Sequence, residues 1–173
     1  MAYRNKTYVA FASEDITSYW FMTGWKENKN IDFNFHDAHD LNTALDTSQP
    51  ETIRRRLGER LANTKQCVVL ISDTTRSKAA KSDTFLYYEV EAIKRRGLPV
   101  VFVNLNKVRG SQNSKLPTAL SEPYSMSVPY GPTIIKYALD NFPQAYADNL
   151  KATTPKTGPY HYKQSVYDRL GLK

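Results

Sequence analysis

Apolar positions along the chain follow three periods. Two runs, Cys67-Val68-Val69-Leu70-Ile71 and Val100-Val101-Phe102-Val103, are continuous. Continuous β-branched runs suit strands buried on both faces, and a parallel pair of such strands needs a crossover between them. The segment Ser82 to Arg96 supplies it with helical spacing. Taking Phe85 as the zero of a wheel at about 100° per residue, Leu86, Val90 and Ile93 fall near about 100°, 140° and 80° and form the buried stripe. Glu89 falls at about 40°, beside that stripe, whereas Glu91 at about 240° projects to water.

The flanking segments extend this alternation of strand and helix. Thr7 to Ala12 is a short strand, and Ser13 caps a helix whose first turn holds Glu14 and Asp15, acids that suit its positive end. That helix runs to about Lys26, and with Ile16, Tyr19, Trp20, Phe21, Met22 and Trp25 it is apolar nearly all round, which implies core packing on more than one side or a partner surface. Ile31, Phe33 and Phe35 alternate with Asp32, Asn34 and His36, the pattern of a strand with one polar face toward a sheet edge. Asp37 to Pro50 is a polar connection, longer than the usual loops of about 2–6 residues and suited to a binding loop or lid. Pro50-Glu51 opens a helix with Ile53, Leu57 and Leu61 inward and Arg54, Arg55 and Arg56 mostly solvated, and Ser72 to Ser77 reads as a loop. After Gly97-Leu98-Pro99 come the second continuous run, a short last strand at Ser125 to Val128, a closing helix at Pro132 to Asn141 and a short helix at Lys163 to Leu170.

This order predicts an α/β fold: a flavodoxin-like, doubly wound parallel sheet of four to five strands in the order 2-1-3-4, in three α/β/α layers. Residues 1–142 form the domain, and 143–173, with Pro143, Pro155, Pro159 and several tyrosines, form a C-terminal extension packed on it.

Composition narrows the classes. A chain of 173 residues with 40% hydrophobic content fits one domain. No run approaches the roughly 18 apolar residues that span a bilayer, and the first six residues lack a secretory apolar stretch, so a soluble, cytoplasmic protein is expected. The single cysteine, Cys67, excludes a disulfide within one chain and cysteine-based metal sites. Asp37, His39 and Asp40 lack a second ligand cluster, and no metal is expected. The net charge of +7 is uneven: residues 105–173 hold 9 basic and 4 acidic side chains, +5, against +2 for the remainder. Such a surplus suits an anionic small molecule or solubility as well as nucleic acid, and with no arginine-rich run beyond 54–56 and the 12 tyrosines scattered, nucleic acid is disfavoured.

An inward carboxylate near the start of a crossover helix lies just beyond the carboxyl end of the preceding strand, where open α/β sheets bind ligands. On wheel position alone two readings of Glu89 stay open: a boundary residue, solvated or paired with a cation such as Arg96, or a functional carboxylate.

Particular words then point to a family. Tyr8-Val9-Ala10-Phe11-Ala12-Ser13-Glu14-Asp15 resembles the opening of TIR domains. The stretch Ile31-Asp32-Phe33-Asn34-Phe35-His36-Asp37-Ala38-His39-Asp40-Leu41-Asn42, the helix from Thr52 to Leu61 and the run Val68 to Ile71 resemble the bacterial TIR-like family of Thoeris antiphage systems, over roughly residues 6–105. In catalytic TIR domains a glutamate on the helix after the third strand, often four residues after a tryptophan, is essential for cleaving the nicotinamide–ribose bond of NAD. Glu89 matches that position, with Phe85 in the tryptophan place and Ala10 in the place of the opening serine. The resemblance implies an NAD glycohydrolase or ADP-ribosyl cyclase, silent until infection triggers it. Its cyclic ADP-ribose-type product would be a diffusible signal to a separate effector protein. NAD is substrate rather than cofactor, and a phage-derived trigger and homo-oligomerisation are compatible with this. Phe11, Ser13, Asp37, Ser72 and Arg76, each at or just after the carboxyl end of strand one, two or three, are expected to border the same cleft, Phe11 against a ring and Arg76 against pyrophosphate. Two other functions compete: a non-catalytic TIR-like interaction or adaptor module, using the apolar first helix, and a nucleoside deoxyribosyltransferase.

Overall fold

Strands whose side chains are apolar on both sides take the middle of the sheet, and helices must then cover both faces. The computed structural model describes residues 6–35 and 49–173. Its sheet comprises β1 (Thr7–Ala10), β2 (Gln66–Ile71), β3 (Val100–Asn104), β4 (Ser125–Pro129) and β5 (Pro159–His161), in spatial order β1-β2-β3-β4-β5 with every neighbouring pair parallel. The register sets Val9 opposite Val68, Val68 opposite Val101 and Val101 opposite Met126, so one row of apolar side chains crosses the sheet on one face. This is a three-layer α/β fold of the flavodoxin-like kind.

Alternation along the strands sorts the core into two layers. Tyr8, Ala10, Cys67, Val69, Ile71, Val100 and Phe102 point to one face, where α2 (Pro50–Leu61) brings Ile53, Leu57 and Leu61 and α4 (Phe85–Arg96) brings Leu86, Val90 and Ile93. Val9, Phe11, Val68, Leu70, Val101, Val103 and Val128 point to the other, against Tyr19 and Met22 of α1 (Ile16–Glu27), Ile134, Ile135, Ala138, Leu139 and Phe142 of α5 (Pro132–Leu150) and Tyr167 of α6 (Gln164–Arg169).

Several segments differ from the sequence pattern. Ile31 to Phe35 keeps the expected alternation, with Phe33 and Phe35 buried and Asp32 and Asn34 exposed, but among the described residues it makes no ladder with β1; the strands expected as one, three and four keep their expected neighbours as β1, β2 and β3. Side-chain burial against α1, with Trp25 edge-on to Phe33 at 5.6 Å, fixes these residues without strand pairing. Ser13 does not cap α1: a 3-10 turn, Ser13–Asp15, precedes the helix and the Ser13 hydroxyl donates to Glu14 instead. The stretch expected as a loop after β2 contains a short helix, α3 (Thr75–Ala79), and α4 begins at Phe85 rather than Ser82. At the closing helix, α5 runs past Asn141 and through Pro143 to Leu150, so the 142/143 boundary falls inside a helix. A proline inside a helix costs about 3 kcal/mol, and burial of Phe142 with Ala145 and Tyr146 packed on the same cluster offsets it. The tail also adds β5 to the sheet edge beside β4.

Much of the tail's cationic surplus is used internally. The Arg109 guanidinium lies 4.2 Å from the Tyr167 ring centre, Arg169 stands over Tyr137, and Lys156 is placed near both Tyr124 and Tyr160. No helix among the described residues is long and apolar enough to cross a membrane.

Candidate active site

The helix that carries Glu89 is fixed at both ends. Thr84 precedes α4 in extended conformation, accepts a hydrogen bond from the Tyr87 amide at 3.3 Å, and donates to the Lys78 and Lys81 carbonyls. Gly97 closes the helix at φ 62°, its amide donating to the Lys94 carbonyl in a left-handed C-cap where a side chain would be strained. Between these caps the helix runs back along the sheet from its carboxyl edge, descending about 5.4 Å per turn.

Position 89 is four residues below Phe85, so its side chain enters the layer between α4 and the sheet. Glu89 is 1% exposed. The Tyr8 hydroxyl, from β1, donates to its Oε2 at 2.5 Å. Burial pushes the Tyr8 phenol well above its ordinary pKa, the Glu89 charge and hydrogen bond push it further, and Arg60 at the end of α2 opposes them. Cys67, facing Tyr8 in the neighbouring strand, is likewise raised by burial and then by Glu89, which makes it an inert thiol. Glu89 thus sits deeper than the expected cleft rim. Glu91, on the outer side, is half-buried and meets Arg54 and Arg95.

A second polar group gathers beyond the carboxyl ends of β1 and β2. The Ser72 hydroxyl donates to Asp15 Oδ2 at 2.6 Å, its amide donates to Thr75 Oγ1 at 2.8 Å, and Thr75 donates to the Leu70 carbonyl. Burial raises the Asp15 pKa, the Ser72 bond opposes it, and neighbouring Glu14 adds to the rise. Ser13 borders this group, and Lys78 Nζ lies 3.1 Å from Glu14. Arg76 is on the rim and donates to the Asn113 and Ser114 carbonyls, while Lys115 Nζ pairs with Asp73 at 2.7 Å. These bonds fasten the segment after β3 to the carboxyl edge of β2.

Of the six expected site residues, five lie among the described ones. Ser13, Ser72 and Arg76 share the carboxyl edge of β1 and β2. Glu89 lies in the layer below, and Asp37 falls outside the described residues, as do His39 and Asp40. Phe11 is a correction: it stacks on Tyr19 with ring centres 4.9 Å apart, on the face opposite Glu89. The period of two along β1 already separates Phe11 from Tyr8. Tyr8 and Asp15 were not picked out from the sequence; Tyr8 looks like any aromatic core residue in a strand, and its partner is 81 positions away. No group of three or more His, Cys, Asp or Glu that could hold a metal occurs among the described residues.

The family model described as Thoeris protein ThsB, TIR-like domain, matches residues 8–110, more than half of the chain. The chain belongs to that family. Membership ties this TIR-like domain to Thoeris defence. The match runs from β1 through β3 and includes Tyr8, Asp15, Ser72 and Glu89; β4, α5, β5 and α6 lie beyond it.

Proposed function

We propose that this TIR-like domain is an enzyme that cleaves the nicotinamide–ribose bond of NAD and forms a cyclic ADP-ribose-type nucleotide, which activates a separate Thoeris effector. The observation that carries this reading is Glu89, a carboxyl on the inner face of α4 and enclosed in an apolar layer. In the reaction the C1′–nitrogen bond of NAD breaks and its electron pair leaves with nicotinamide, which departs neutral. The ribosyl cation left at C1′ is stabilised by the Glu89 carboxylate, an interaction far stronger in a low-dielectric site than in water. Capture of C1′ by a ring nitrogen of the same ADP-ribose, or by one of its hydroxyls with loss of that hydroxyl's proton, closes a ring; capture by water, also with loss of a proton, gives linear ADP-ribose. Exclusion of water selects the cyclic product.

Ser13 and Ser72 supply hydroxyls, and Arg76 a cation for pyrophosphate, at the carboxyl edge where dinucleotides bind in open α/β sheets. With Glu89 1% exposed, the ribose reaches it only when the layer above opens. The resting domain is accordingly silent, and turnover waits for a trigger produced by infection.

A second reading, an interaction module without catalysis, is favoured by one feature: Trp20 and Phe21 on α1 are 56% and 60% exposed. Mass spectrometry of small molecules from cells expressing the protein, with and without phage, separates the two. The enzyme reading predicts a new ADP-ribose-type nucleotide and free nicotinamide upon infection. Protection from phage with no change in either metabolite supports the interaction module instead.

A further inference from the structure

We propose that Tyr8 is the positioning residue for Glu89: its phenol, anchored in β1, holds the carboxyl in the orientation that faces C1′ as nicotinamide leaves. This rests on the catalytic reading of Glu89 above. A glutamate on a helix has three rotatable side-chain bonds, and α4 fixes only its backbone. Tyr8 removes that freedom from across the layer. Its main chain is set by the β1–β2 ladder, in register with Cys67, and its side chain is 1% exposed in the same apolar layer as α2 and α4. The hydroxyl meets Glu89 Oε2 at 2.5 Å. A phenol is a neutral donor, so it orients the carboxylate without cancelling the charge that the ribosyl cation needs. Burial and the adjacent charge keep it protonated well past its ordinary pKa, so the donor persists throughout the physiological range. Among the described residues, Cys67 of β2 and Arg60 of α2 are ionisable groups that act on the pair.

The test uses the full chain in lysates of phage-infected cells. Nicotinamide release is measured against NAD concentration and normalised to folded protein for wild type, Tyr8→Phe, Glu89→Gln, and a variant with 4-aminophenylalanine introduced at position 8. Positioning predicts that Tyr8→Phe lowers the maximal rate at least about tenfold while the half-saturating NAD concentration stays within about twofold. The amino group restores a donor at the same place and returns the rate to within about threefold of wild type. An unchanged maximal rate in Tyr8→Phe, or a loss confined to half-saturation, overturns the proposal. If Tyr8→Phe does not fold, the 4-aminophenylalanine variant decides: folded and active upholds the proposal, and folded but inactive overturns it. Failure of both to fold makes Tyr8 a structural residue and also overturns it. Full activity in Glu89→Gln refutes the catalytic reading itself, whereas an inactive Glu89→Gln beside a fully active Tyr8→Phe removes only the role of Tyr8.

Discussion

Replacing Thr84 with alanine removes the hydroxyl that starts α4 and so tests how the helix carrying Glu89 is held. The hydroxyl accepts from the Tyr87 amide at 3.3 Å and donates at 2.6 Å to Lys78 and 2.9 Å to Lys81. The cap bond is long and falls at the weaker end of the capping range, about 0.5–1 kcal/mol. The donated bonds share one hydrogen, and together they contribute about one neutral hydrogen bond, about 0.5–1.5 kcal/mol. Thr84→Ala should therefore destabilise the domain by about 1–2.5 kcal/mol, which lowers Tm by about 2–10 °C in a chain of this length. Thr84→Ser, which keeps the hydroxyl, should recover most of that. Urea unfolding followed by circular dichroism is the assay, and the midpoint should fall while the m-value holds. A Thr84→Ala midpoint equal to wild type, or a serine variant as weak as the alanine one, would refute this account of the helix start.

Phe142, fully buried and 5.1 Å from the Tyr124 ring, should cost about 3–5 kcal/mol on replacement by alanine, seen as a large drop in thermal midpoint. An alanine at Gly97 meets nothing closer than the Tyr146 hydroxyl at 4.0 Å, so its cost is that of a positive φ, about 1 kcal/mol, and asparagine there should cost less in the same melt. Stability should also fall steeply in alkali. Burial raises the phenol pKa of Tyr8 and pushes Tyr130 up to about 12, so each folded phenol binds its proton more tightly than the unfolded one at 10.0. That stabilisation is complete below the unfolded value and is lost as pH rises through the folded values. Thermal midpoints and tyrosinate absorbance should turn together above about pH 10, and a midpoint flat through that range would contradict the burial of these phenols.

The sequence pattern was most legible where burial acts on contiguous residues. Cys67 to Ile71 and Val100 to Val103 are β2 and β3, and the wheel of α4 turned Glu89 inward and Glu91 outward because helical geometry follows directly from spacing. It was less legible where a partner decides. Ile31, Phe33 and Phe35 alternate as a strand would, but alternation reports burial of side chains and says nothing about a backbone neighbour. Pro143 reads as a stop, yet Phe142, Ala145 and Tyr146 have a hydrophobic layer to join and the helix continues. The site divides in the same way. Ser13, Ser72 and Arg76 follow from strand ends, whereas the bond from Tyr8 to Glu89 joins elements 81 residues apart and leaves no local trace. Phe11 was misplaced although the strand's own period of two contained the answer.

The central claim is that the Glu89 charge drives nicotinamide release, and the direct measurement is signal nucleotide formed per folded protein in infected cells expressing wild type, Glu89→Gln or Glu91→Gln. Glutamine keeps the size of the side chain and can still accept from Tyr8, but it removes the charge facing the ribosyl cation. The account predicts a fall of at least about 10²-fold, equivalent to about 2.7 kcal/mol of barrier, for Glu89→Gln with the domain still folded, and no change for Glu91→Gln. A folded Glu89→Gln protein that makes the nucleotide at the wild-type rate and protects its cells would contradict it.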